Sequence, residues 1–271
     1  MEQFARSPWL LLAMTALVLA EWWWRRRVAQ RGYDGREARA TLAIAFGNLF
    51  TGAASALAIG GIFAAVSRIA PLHWPLRDWR TWAAGFVAVE FAYYWFHRSS
   101  HEVRWMWANH AVHHTPEQMT LLSSIRLGWT NLFSFGWLFY LPLVLLGFDP
   151  RMVFALLAFD LHYQFFLHTE AIARLGPLEW VLNTPAHHRV HHASNAEYLD
   201  CNYGGMVIVF DRLFGTFREE RTGEPIRYGL AHPFGSRNPF VLNFGEWKHL
   251  FAAMKSSGSP RAALRIALGR P

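Results

Sequence analysis

The chain has 271 residues, 53% of them hydrophobic, 16% aromatic and only 17% charged, with a formal net charge of +7. A single domain is the default at this length. The arginines flank apolar blocks and form no extended basic stripe, which argues against a nucleic-acid partner and for anionic lipid headgroups. The lone cysteine, Cys201, excludes an internal disulfide framework and a thiolate-only metal site.

The apolar residues come in blocks, as expected of lipid-facing helices, and several of the 14 tryptophans stand near block ends, as in interfacial aromatic belts. The first block, Trp9 to Trp24, is closed by Arg25, Arg26 and Arg27 and preceded only by Arg6. This charge order predicts a retained span with its N-terminus outside, not a cleavable signal. The arginine-rich linker from Arg25 to Ala40 marks the cytoplasmic side. Spans are predicted over Thr41–Val66 and Thr81–Phe96, separated by a loop that holds Pro71, His73 and Pro75. Leu127–Phe148 and Met152–His168 read as a hairpin around Gly147, Asp149 and Pro150, and Glu246–Arg270 reads as a basic segment lying on the membrane. The predicted fold is all-α: a multi-pass transmembrane bundle of four or five apolar segments carrying a cytosolic, histidine-rich helical cap. One domain covers residues 1–271, with a catalytic core at about 81–217 and a basic C-terminal segment at 241–271. Cys201, in a polar stretch, is expected on the cytoplasmic face and open to a thiol reagent after solubilisation.

Eight histidines fall in three clusters: His97 and His101; His110, His113 and His114; His188, His191 and His192. Their HxxxH and HxxHH spacings place the rings of each cluster on one helical face. Three such faces brought together form a nitrogen-rich cage too large for one ion, and imidazole suits iron, zinc or copper better than magnesium or calcium. A zinc-protease motif is absent, because Trp105 stands where the second histidine of HExxH belongs. Haem, which takes one or two well-separated ligands, is disfavoured. His168 ends the last apolar segment at the level of the cage and is a further candidate ligand. Gln164, one turn earlier, is placed to hydrogen-bond a ligand or a bound water. His162 lies off that face, His187 is a reserve candidate, and His73, His232 and His249 read as structural or surface residues. Glu90 and Asp160, acids inside apolar segments, are expected to accept the spare N–H of metal-bound imidazoles.

The stretch His97-Arg98-Ser99-Ser100-His101-Glu102, followed by Trp107-Ala108-Asn109-His110-Ala111-Val112-His113-His114, resembles the fatty acid hydroxylase and sterol desaturase superfamily of membrane di-iron enzymes. The text from His168 through Asn183-Thr184-Pro185 to Asn202-Tyr203-Gly204-Gly205 and Asp211-Arg212-Leu213-Phe214-Gly215 is similar to its alkylglycerol monooxygenase branch and the bacterial relatives of that branch. The resemblance implies two iron ions held by His97, His101, His110, His113, His114, His168, His188, His191 and His192, with no catalytic side chain beyond these ligands. Some fatty acid hydroxylases carry another histidine where this chain has Gln164. It further implies O2 as oxidant and a lipid substrate (ether lipid, sterol or fatty-acyl chain) that is hydroxylated or desaturated. No G-x-G-x-x-G fingerprint is present, so a separate electron donor is expected, either a reduced pterin or a ferredoxin or cytochrome partner. The alternative is a non-catalytic membrane protein that binds or transports metal. Such a protein would place its ligands near mid-bilayer, whereas here they sit at segment ends.

Overall fold

The computed structural model describes residues 8–271, so Arg6 lies outside the described residues. Among these residues there is no strand, only two isolated antiparallel bridges, Leu182 with Val207 and Ala193 with Tyr228. Two long helices come first, α1 (Pro8–Arg27) and α2 (Gly35–Ser67). Asp34 caps α2 by accepting the Arg36 amide at 2.7 Å, and among the described residues α2 alone is clearly long and apolar enough to cross a membrane. At about 1.5 Å per residue its 33 residues exceed a hydrocarbon core of about 30 Å. α3 (Trp79–Glu102) runs without interruption from its apolar first half into His97 and His101. α4 (Arg104–His114) then carries the second cluster back across the same end.

The segment expected as one span over Leu127–Phe148 is broken. It forms α5 (Asn131–Ser134), a 3-10 turn at Gly136–Phe139 and α6 (Leu141–Leu145). Phe135 takes a left-handed φ of 61°, which ends α5, and Pro142 brings no amide to the following turn. Gly136 is needed at the break because a Cβ there would overlap the Phe96 ring. The broken segment still supplies Tyr140, Leu143, Val144 and Phe148 to the main apolar core, beside Ile59 and Phe63 of α2 and Val89 and Ala92 of α3.

α7 (Pro150–Phe165) starts on an Asp149 cap and a first-turn proline, and it closes in a 3-10-like turn that delivers His168. The third cluster lies on α8 (Pro185–His191) and on His192, which caps its C-terminus, and α9 (Val209–Phe214) follows after an irregular stretch. The basic C-terminal segment is two helices, α10 (Pro239–Ser256) and α11 (Pro260–Leu268). They separate at Gly258, whose φ is +76°, and pack through Trp247, Leu250 and Ala267 against Ala108 of α4.

Candidate metal centre

The ends of α3, α4 and α7 and the whole of α8 converge on one buried volume. There the structure gathers all nine predicted histidines into two groups. His97, His101, His110, His114 and His191 form one, and His113, His168, His188 and His192 the other, with the candidate donor atoms of each group within 4.8 Å of one another. Only His110 is half-buried; the other eight are buried. The three clusters do not map one to one onto the groups. Adjacent histidines such as His113 and His114, or His191 and His192, point into different groups because neighbours on a helix diverge by about 100°.

Ring orientation is set by backbone carbonyls. Nδ1–H donates from His97 to the Tyr203 carbonyl (2.9 Å), from His113 to Arg126 (3.2 Å), from His168 to Gln164 (2.7 Å) and from His191 to Cys201 (2.9 Å). A carbonyl can only accept, so each of these rings is the Nδ1–H tautomer and presents a bare Nε2 lone pair to the interior.

The Nε2 atoms face one another at short range. His97 meets His110 at 3.0 Å and His110 meets His114 at 3.2 Å; His113 meets His168 at 3.2 Å and His168 meets His188 at 3.1 Å. For His113 and His168 both facing atoms are acceptors. Burial pushes His113 down to about 4 and His191 to about 3 in spite of the hydrogen bond each makes to a carbonyl, so near neutral pH these rings carry no extra proton to share. The Nε2 atoms of His101, His191 and His192 are buried with no partner at all. Two nitrogens about 2.1 Å from one ion and at right angles to each other lie about 3.0 Å apart, close to the separations seen here. The donor set therefore fits a pair of imidazole-loving cations, one per group.

Glu90 and Asp160 do not serve the histidines. The Glu90 carboxylate accepts the Met206 and Val207 amides, both at 3.0 Å, and Asp160 accepts the Gln164 side-chain amide at 2.7 Å. Each acid meets a donor already available in the packing of α3, α7 and the 206–207 loop, which leaves carbonyls to orient the rings. Gln164 contributes its backbone carbonyl to His168, while its side chain links Tyr93 to Asp160. His162 donates to its own helix at Ala158, and His187 stacks edge-on against Phe217, outside both groups. His73, His232 and His249 are exposed. Cys201 is not an accessible thiol: it is buried, donates to the Tyr198 carbonyl at 3.0 Å, and burial pushes it up to about 12.

Sequence reasoning overlooked Arg126. Its guanidinium is fully buried and donates to the Glu37 carboxylate (2.6 Å), the Glu37 carbonyl (2.9 Å), Thr41 and Thr115, fixing the residue whose carbonyl orients His113. An arginine at the edge of an apolar block was the available signal.

The fold and site define a helical protein built around a paired, carbonyl-oriented histidine cage. Residues 82–216 match the fatty acid hydroxylase family model, and through this domain the chain belongs to that family. It is 47% identical to the alkylglycerol monooxygenase of Xenopus tropicalis over 176 residues, covering 65% of this chain and 38% of that protein. It is likewise 47% identical to the alkylglycerol monooxygenase of Homo sapiens over 173 residues, covering 64% and 37%. The ornithine lipid hydroxylase OlsE of Rhizobium tropici is 33% identical over 149 residues, covering 54% of this chain and 44% of that protein. The match thus spans less than two fifths of the length of the alkylglycerol monooxygenases. No solved structure matches.

Proposed function

We propose that this protein is a membrane-bound di-iron oxygenase that hydroxylates a C–H bond of a lipid, with an ether lipid of the alkylglycerol type as the first candidate substrate. The observation that carries this reading is the division of nine imidazoles, eight of them buried, into two sets, with the facing His113 and His168 nitrogens both acceptors and the Nε2 atoms of His101, His191 and His192 without a partner. His97, His101, His110, His114 and His191 would hold one iron, and His113, His168, His188 and His192 the other. Such a pair, once bound, supplies O2 activation and oxidation of an unactivated C–H bond.

The chain's own residues do the rest. The carbonyls of Arg126, Gln164, Cys201 and Tyr203 fix four rings so that little reorganisation is needed on metal binding. Trp107, against the rings of His101 and His114, helps to exclude water from the five-histidine group. The relatives named for lipid hydroxylation support a lipid substrate. α1, α2 and α3 carry exposed Trp9, Leu12, Leu49, Leu57 and Val87, in keeping with lipid contact, and the arginines that close α1 favour a cytoplasmic cage. Reducing equivalents come from a separate donor, a reduced pterin in the ether-lipid reading.

The test is to incubate the iron-loaded protein in lipid vesicles with an alkylglycerol, isotopically labelled O2 and a reduced pterin, and to follow label by mass spectrometry. One labelled oxygen in the lipid product supports the proposal. Turnover only with ferredoxin or cytochrome would move the substrate to the sterol or fatty-acyl class. Absence of label from every lipid tested, with iron bound, would overturn the oxygenase reading.

A further inference from the structure

The irregular stretch between α8 and α9 contains the Asn202-Tyr203-Gly204-Gly205 sequence and leads to Asp211, none of which touches the cage through a side-chain hydrogen bond. This stretch nevertheless supplies both carbonyls that orient the five-histidine group: Cys201 for His191 and Tyr203 for His97. The four-histidine group takes its carbonyls from elsewhere, Arg126 and Gln164. A carbonyl on an irregular loop can aim a ring only if the loop is fixed, so the question is what fixes it.

Asp211 lies in the first turn of α9 and is 0% exposed. Its carboxylate reaches back over the loop, with Oδ1 accepting the Tyr203 amide and Oδ2 the Gly204 amide, each at 2.7 Å. Thr216 donates a third hydrogen bond to Oδ1 at 2.7 Å. The Gly204 N–H belongs to the same peptide unit as Tyr203 O, the atom that receives His97, and the Tyr203 N–H belongs to the unit before it. A carboxylate spanning both N–H groups therefore sets the rotation of the Tyr203–Gly204 peptide about the chain axis. Charge-assisted bonds of this kind are roughly twice as strong as neutral ones. Gly204 permits the approach, since a Cβ there would overlap the Val207 carbonyl and sit 3.1 Å from Asp211 Oδ2. The side chain of Asn202, at a left-handed φ of 56°, bonds the His187 and Arg218 carbonyls and holds the other end of the loop.

We infer that Asp211 is a positioning residue for one of the two metal sites, acting through the Tyr203 peptide on His97 and, along the same loop, through Cys201 on His191. The inference rests on the di-iron reading above. It predicts an asymmetry that a merely structural role would not produce. Asp211→Asn keeps the size of the side chain but replaces one acceptor by an NH2 group, so that one of the two loop amides faces another donor. The Tyr203 carbonyl then turns away from His97, and the five-histidine site weakens while the four-histidine site does not. Thr216→Val, which leaves both backbone bonds to Asp211 in place, should give the same asymmetry in milder form.

The experiment is iron(II) titration of full-length apo-protein in detergent, for wild type and both variants, with iron counted per chain and Mössbauer spectra recorded on enriched iron. Circular dichroism and monodisperse elution establish that each variant is folded. Wild type should bind two irons. Asp211→Asn should lose affinity at one site by about 10–100-fold, the usual effect of removing a group that orients a ligand, and show one spectral component at limiting iron. If Asp211→Asn does not fold, Thr216→Val decides, with a smaller loss confined to one component. Two irons bound with wild-type affinity in the variants, or equal weakening of both sites, overturns the inference while leaving the di-iron reading intact. Wild type that binds no iron overturns both.

Discussion

Replacing Arg126 by methionine tests the packing beneath the second cluster. The side chain is fully buried and its guanidinium bridges Glu37, Thr41 and Thr115. Removing one partner of a buried ion pair costs about 3–5 kcal/mol, because the other charge is left unpaired. Here Glu37 keeps a second partner, the Arg237 guanidinium, so the lower end, about 3 kcal/mol, is expected. At about 2–4 °C per kcal/mol for a chain of this size class, the melting temperature should fall by roughly 6–12 °C. The double variant Arg126→Met with Glu37→Met should recover part of this loss, since it removes both charges. Arg237 then still pairs with the half-exposed Glu117 at 2.6 Å. The assay is thermal unfolding of the metal-free protein in detergent, followed by circular dichroism at one scan rate. A drop below about 2 °C for the single variant, or strictly additive losses in the double, would refute the reasoning.

Gly205→Ala should destabilise by about 1–3 kcal/mol, because the new Cβ would overlap the Asp160 carboxylate. Gly52→Ala, on an open stretch of α2, should instead stabilise by up to about 1 kcal/mol; parallel melts distinguish the two. Acid should weaken the metal-free fold in a defined window. His113 and His191 fall from an ordinary 6.5 to about 4 and about 3 when buried. Between those values the unfolded chain binds protons that the folded chain refuses, so their contribution is full above pH 6.5 and is lost as pH falls toward 4 and then 3. Denaturant midpoints unchanged from neutral pH down to 4 would contradict this assignment. His113→Ala and His191→Ala should each lower bound iron and abolish lipid oxidation, whereas His73→Ala, at an exposed site, should do neither. Iron analysis and product assays on the three variants check this.

The histidine cage was legible in the sequence because its signal is local. Ligands three and four apart on a helix share a face wherever the helix ends up, so the spacings of His97 with His101 and of His110 with His113 and His114 pointed to convergence. His168 was reached by counting along a helix that does end beside it. What lay beyond reach was tertiary. Every residue has a carbonyl, so nothing in the letters singles out Arg126, Gln164, Cys201 and Tyr203 as the acceptors that aim the rings. The need of Glu90 and Asp160 for partners followed from their apolar surroundings, but the donors they found, loop amides and the Gln164 side chain, depend on how α3 and α7 pack. The break within 127–148 was hidden for a similar reason. Its apolar content suits a span, and beside Pro142 it is packing against Phe96 and a left-handed Phe135 that divide it.

If the nine histidines form two metal sites, iron bound per chain reads out both at once. Metal-free protein titrated anaerobically with iron(II), freed of excess metal and analysed by elemental mass spectrometry against quantitative amino-acid analysis, should retain two irons per chain, one for each histidine group. Retention of one iron or fewer by folded wild-type protein would show that the two histidine groups are not two metal sites.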